Sequence, residues 1–209
     1  MSKLFSPISL GGVTLPNRIV VSPMCQYSAD DGCMSDWHLV HLGHLAYSGA
    51  GMLVVEATGV TREGRITHGC TGLYSDDNEA AMARVIQACR RLSQHPVGIQ
   101  LAHAGRKASV HFPWKGGKPL GPNDSPWQTV APSPIPFGDG WHLPEEISTG
   151  EMLKLTAAFV ASTLRAKRIG FDAVELHSAW ENFTRGRWKT RPMPTPQMRS
   201  TICWYVLSI

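Results

Sequence analysis

The chain has 209 residues, 43% of them hydrophobic, which is enough for one domain with a sizeable core. No apolar run reaches membrane-crossing length, and no basic stretch followed by an apolar one opens the chain, so a cytoplasmic protein without a membrane partner is expected. The net charge of +4 is confined: residues 180–209 carry five basic residues and one acid, residues 1–179 carry fifteen of each sign, and overall basicity therefore gives no ground for a nucleic-acid partner.

The strand and helix patterns alternate from the start. Arg18-Ile19-Val20-Val21-Ser22 reads as a buried strand, which Pro23 ends because it cannot donate to a ladder. Asp36 can cap a helix from about Trp37 to Ser48, with Leu39, Leu42, Leu45 and Ala46 on its apolar face. Met52 to Ala57 is a second strand, followed by a polar loop from Thr58 to Tyr74. Ser75 or Asp76 starts the next helix, whose buried face is Met82, Val85, Ile86 and Cys89. Val97 to Leu101 is the third strand. Ala108 to Ile147 is a long excursion rich in Pro, Gly and Trp, read either as a lid or as a flexible insertion. Ser148 and Glu151 form a capping box for a helix that Gly170 stops, and Phe171 to His177 is the fourth strand.

Strict alternation implies right-handed βαβ units and a parallel sheet. The outline suits half of a (β/α)8 barrel or part of a doubly wound sheet. No Gly-x-Gly-x-x-Gly follows the first strand, which weakens the Rossmann option.

The five cysteines are odd in number and none are spaced Cys-x-x-Cys, so neither a disulfide framework nor a zinc knuckle is indicated. His38, His41 and His44 recur every third residue. They drift around the helix without a carboxylate at a matching offset, so no metal site is assigned.

In a barrel, chemistry sits at the carboxyl ends of the strands. Those ends present Ser22 to Tyr27, Glu56-Ala57, Gln100 with His103, and His177. A thiol, a thioether and a phenol suit a flat aromatic cofactor. A side-chain amide such as Gln100 can donate to and accept from a heteroaromatic ring. A thiol such as Cys25 can tune a cofactor's redox poise. His177 can hold a carbonyl oxygen and stabilise developing enolate charge, with Tyr27 adding a hydroxyl. Each residue type alone also has an ordinary structural use.

The carrying stretches are Leu15-Pro16-Asn17-Arg18-Ile19-Val20, Ser22 to Tyr27, Val55-Glu56-Ala57-Thr58, Gly64-Arg65-Ile66-Thr67, Gly98 to Lys107, and Val174-Glu175-Leu176-His177. Together they resemble the Old Yellow Enzyme group of FMN-dependent ene reductases, near its bacterial NADPH dehydrogenases and xenobiotic reductases. The resemblance implies an incomplete (β/α)8 TIM barrel, about the first four β/α units, over residues 1–179. It implies FMN contacts at Ser22, Pro23, Met24, Cys25, Ala57 and Gln100, with Cys25 as the redox-tuning thiol. It implies substrate contacts at Tyr27 and His177. The implied reaction carries hydride from NADPH or NADH through FMN to a small activated alkene such as an enone.

The family continues His-x-x-His-Gly-Tyr, whereas this chain has His177-Ser178-Ala179-Trp180-Glu181-Asn182. Beyond that point nothing resembles the family. The expectation is a frameshifted, early-stopped tail over residues 180–209, irregular apart from a possible strand at Thr201 to Leu207. Loss of the later strands would remove the FMN-phosphate loops and leave sheet edges open to self-association. The alternatives are a catalytically inactive fragment or scaffold and, further off, a metal-dependent barrel lyase.

Overall fold

Apolar segments separated by amphipathic ones build a parallel sheet in the computed structural model, which describes residues 2–177 and the backbone of 205–208. A hairpin comes first: β1 (Ile8–Leu10) pairs antiparallel with β2 (Val13–Leu15). Then follow β3 (Val20–Val21), α1 (Asp36–Ala46), β4 (Met52–Gly59), α2 (Asp76–Leu92) and β5 (Val97–Ala102). Within the excursion lie β6 (Val130–Ala131) and β7 (Glu145–Glu146). The long helix α3 (Thr149–Ile169), β8 (Ala173–Leu176) and β9 (Tyr205–Ser208) complete the elements.

The main sheet runs β3-β4-β5-β8-β9. The first four strands are parallel, and the helices between them supply the crossovers. β9 departs from the expected alternation by pairing antiparallel with β8, Ala173 opposite Ser208. An unpaired edge presents a row of backbone donors and acceptors, and an antiparallel segment satisfies them as well as a parallel one. Residues 178–204 and 209, which include the rest of the tail expected over 180–209, lie outside the described residues.

Side chains divide cleanly across the sheet. Leu53, Val55, Val97, Ile99, Leu101 and Val174 pack with Met82, Val85, Ile86 and Ile169 of the helices. The other face carries Met52, Val54 and Ala173 beneath Leu15 of the hairpin. Gly98 belongs to this inner layer, since a Cβ there would fall 2.7 Å from Met52 Cε. Small residues here let the hairpin plug the amino end of the sheet.

Local signals explain the helix limits. Ser148 Oγ accepts from Glu151 N–H while Glu151 accepts from Ser148 N–H, as the capping box requires. Gly170 ends α3 in the left-handed region at φ 99°. Ser75 caps α2 by accepting from Asn78 N–H. At α1 the cap position falls on Ser35, one residue earlier than the Asp36 expected, and Asp36 enters the first turn. The first strand is shorter than its sequence pattern: only Val20 and Val21 pair with β4.

Candidate active site

The strand ends bring the sequence-predicted residues to one rim. Gln100 lies on β5 opposite Glu175 on β8, and its Nε2 donates to Glu175 Oε1. Both are buried, 5% and 6% exposed. Inner-face alternation puts this pair one step above Gly98 and Ala173, toward the carboxyl end. His177 follows β8 by one residue, and its backbone N–H donates to Leu101 O at 2.9 Å. Ala57 sits near the end of β4, beside an irregularity in the ladder between Val55 and Thr58.

Cys25 comes from the loop after β3. Burial pushes its thiol up to about 12, Cys70 and Glu56 add to this, and a backbone hydrogen bond at Ala57 and the charge of Lys107 oppose it. The thiol therefore stays protonated in neutral solution and faces the end of β4. Lys107 also acts on His177, whose pKa is lowered by burial first and by Lys107 second. The charge of Lys107 thus acts on both Cys25 and His177. Ser22 and Met24 are solvent-exposed on the same loop, with Pro23 half-buried between them.

Tyr27 adopts a left-handed backbone, φ 52°, uncommon for a bulky residue. Its phenol is pushed up by burial first, then by Cys25, Cys70 and Glu56. The ring stands edge-on to Phe112 and Trp114, at 6.4 and 5.8 Å between centroids. Phe112 and Trp114 are themselves stacked at 5.1 Å. Gly69 permits this packing, because a Cβ there would lie 2.4 Å from Tyr27 O.

The excursion is folded. Trp127 Nε1 donates to Glu63 O, and His68 Nε2 lies 3.0 Å from Asp124 O. Ser109, Leu120, Thr129 and Ala131 are buried. It frames a cleft of about 420 Å³ bordered by Arg62, Arg65, His68, Phe112 and Trp127. Cys25, Tyr27, Gln100 and His177 are not among the residues that line it.

One strand-end candidate separates from the rim. His103 turns inward, with Nδ1 accepting from Gly105 N–H at 3.0 Å and the ring packed beneath Gly64. Burial lowers its pKa to about 4. The three α1 histidines do not converge: His38 is fully buried against Glu56 Oε1 at 3.3 Å, and His44 is exposed. Among the described residues no three His, Cys, Asp or Glu side chains gather as metal ligands.

Sequence reasoning assigned no role to Glu175, Lys107 or Glu56. Glu175 was detectable only through strand register. Lys107 stood in the motif after β5 without a role.

The donor set is a protonated thiol, a carboxamide with one N–H committed, a phenol, an imidazole and exposed loop backbone. It fits the edge of a neutral, flat heteroaromatic ring such as that of FMN, and lacks a cluster suited to a metal.

Comparison with known proteins gives the same grouping. The chain is 41% identical over 182 residues to the NADH:flavin oxidoreductase of Gibberella zeae, covering 85% of this chain and 44% of that protein. It is 39% identical over 178 residues to the NADPH dehydrogenase of Geobacillus thermodenitrificans, covering 84% and 48%. It thus spans about half the length of these relatives. A structure of morphinone reductase in complex with tetrahydroNAD superposes at TM-score 0.72 with 26% identity, over 88% of this chain and 51% of that one. The Old Yellow Enzyme homologue from Zymomonas mobilis gives 0.71 and 25%, over 87% and 50%. Both structures correspond to this fold over about half their length, which makes the present sheet part of a TIM barrel. The family model for NADH:flavin oxidoreductases and NADH oxidases matches residues 3–182, and the chain belongs to that family.

Proposed function

We propose that the rim binds the ring of FMN and a small activated alkene beside it, in an enzyme that takes hydride from NADPH or NADH. The observation that carries this reading is the meeting of Cys25, Ala57, Gln100 and His177 at the carboxyl ends of adjacent parallel strands. When bound, FMN supplies the hydride acceptance and donation. Cys25, held as a neutral thiol, offers a hydrogen-bond donor to the ring edge. Gln100 has one N–H committed to Glu175, so its Oε1 is left to accept from a ring N–H. Ser22, Pro23, Met24 and Ala57 supply backbone and apolar contact to the ring. Tyr27 O–H and the His177 imidazole donate to the substrate carbonyl oxygen, where negative charge develops. The dinucleotide bound in the morphinone reductase complex supports a nicotinamide donor.

The barrel portion is assigned to residues 1–179 and a separate tail to residues 180–209, in a cytoplasmic protein. Titration of the purified chain with FMN, read by flavin fluorescence, tests the reading. Saturable quenching, with a flavin band altered in Cys25→Ser, is expected. A folded chain that gives no saturable change overturns it. A second reading, an inactive fragment that pairs with another barrel half or a second copy, is favoured by the β3 edge, where Ile19 and Val20 are exposed. Colourless protein running as a dimer would select it.

A further inference from the structure

None of the roles above uses the deeply buried contact between the His38 imidazole and the Glu56 carboxylate. His38 is 0% exposed and Glu56 4%. Buried polar groups are costly unless their hydrogen-bonding needs are met, so their partners define the local geometry. The partners of this pair are all in the loop that carries Cys25 and Tyr27. Glu56 Oε2 accepts from Gln26 N–H at 2.9 Å, and Oε1 faces His38 Nε2 at 3.3 Å. His38 Nδ1 accepts from Ser35 N–H at 3.0 Å, which puts the ring proton on Nε2; that nitrogen lies beside Glu56 Oε1 without a hydrogen bond to it. Ser35 Oγ donates to Ser28 O at 2.8 Å. Gln26 Oε1 accepts from Trp37 Nε1 at 3.1 Å, and its Nε2 donates to Met24 O at 2.8 Å. The first turn of α1, the end of β4 and residues 24–28 are knitted into one frame.

We propose that His38 and Glu56 are positioning residues of the rim: the carboxylate fixes the Gln26 peptide, and through it the placement of Cys25 and Tyr27 on either side. This rests on the reading of Cys25 and Tyr27 as site residues. The chemistry requires a carboxylate in particular. Gln26 N–H donates to one oxygen and the Nε2 side of His38 lies against the other, so an acceptor-only side chain opposes neither. A glutamine would turn its NH₂ toward one of them. Moving the His38 proton to Nδ1 does not relieve this, because it would then oppose Ser35 N–H. The charge of Glu56 also contributes to the raised pKa values of both Cys25 and Tyr27, which places it beside both.

The test is peptide-mapped alkylation of Cys25 in the folded full chain. Glu56→Ala and His38→Ala are compared with Arg90→Ala, which removes the Arg90–Asp172 bridge away from this loop. Loss of a buried bond that opens the loop raises Cys25 labelling about tenfold in the first two variants. Arg90→Ala leaves it unchanged at a similar loss of Tm. Equal labelling in all three variants, or no rise, overturns the proposal. If Glu56→Ala fails to fold, Glu56→Gln, which keeps the volume, is judged by the same criterion. Labelling needs no flavin, so failure of FMN binding in the parent chain is a separate result and leaves this one standing.

Discussion

Gln100 and Glu175 face each other across the β5–β8 ladder, the amide Nε2 donating to the carboxyl, both side chains buried. The bond orients the Gln100 amide and leaves its Oε1 and second N–H for a ligand. Glu175→Ala strands a buried N–H and is expected to cost about 1–3 kcal/mol in denaturant unfolding. It also weakens FMN binding, whereas Glu175→Gln keeps an acceptor and costs less. Burial raises the Glu175 pKa, with Gln100 opposing. The folded protein therefore keeps this proton to higher pH than the unfolded chain. The associated stability is present below the ordinary carboxyl range and lost as pH rises through the raised value, a slope that Glu175→Gln removes.

On the proposed function, Gly69→Ala tests the Tyr27 side of the site. Its Cβ would meet Tyr27 O at 2.4 Å and Phe112 Cε1 at 2.7 Å, so the Tyr27 loop must shift. Strain of about 1–3 kcal/mol is expected in thermal unfolding. In steady-state kinetics the KM for an enone should rise, and because residues 24–28 form one frame, FMN affinity should fall with it.

His103 predicts an acid limb. Burial lowers its pKa from 6.5 to about 4, so the unfolded chain binds this proton first as pH falls. Stability should drop across that interval by roughly 3 kcal/mol, given about 1.4 kcal/mol per pKa unit. Unfolding of His103→Gln, followed over the same range, should show a flatter profile than the parent.

Glu79 ties α2 to α3 through Arg165 and Arg168. The Arg168 hydrogen bond, reinforced by Arg165, holds its carboxyl below the usual range against the opposing effect of burial. This stability is present above the ordinary carboxylate range and lost as pH falls through the lowered value. Glu79→Gln should lower Tm slightly at neutral pH, by less in high salt, and not at all once the carboxyl is protonated.

Much of this fold was legible because its signals are local. The Ser148–Glu151 box and Gly170 mark both ends of α3, and the runs at Met52, Val97 and Phe171 anticipate β4, β5 and β8. The hairpin β1–β2 was missed although Gly11-Gly12 sits between two short alternating runs, and Gly11 has φ 57°. The structure inside the excursion was also missed, since its turns follow Pro and Gly and its order comes from contacts with distant loops. At the rim, residue types and strand-end placement pointed to Cys25, Gln100 and His177. The partners that hold them depend on register and on packing between elements: Glu175 through β5–β8, and Glu56 through α1. His38 illustrates the limit, since a three-residue spacing raised the question of metal and only the tertiary fold turned the ring toward a carboxylate.

The excursion from Ala108 to Ile147 is fastened mainly to other loops: Val110 N–H to Ile66 O, Trp127 to Glu63, Arg106 to Ile135 and Pro136. Its hydrogen bonds avoid the ladders of the main sheet. A relative could therefore exchange the aromatic wall of Phe112 and Trp114 for another lining while its strands assembled as before. Selectivity and foldability would then evolve on separate tracks, one written in the insert and the other in the scaffold beneath it.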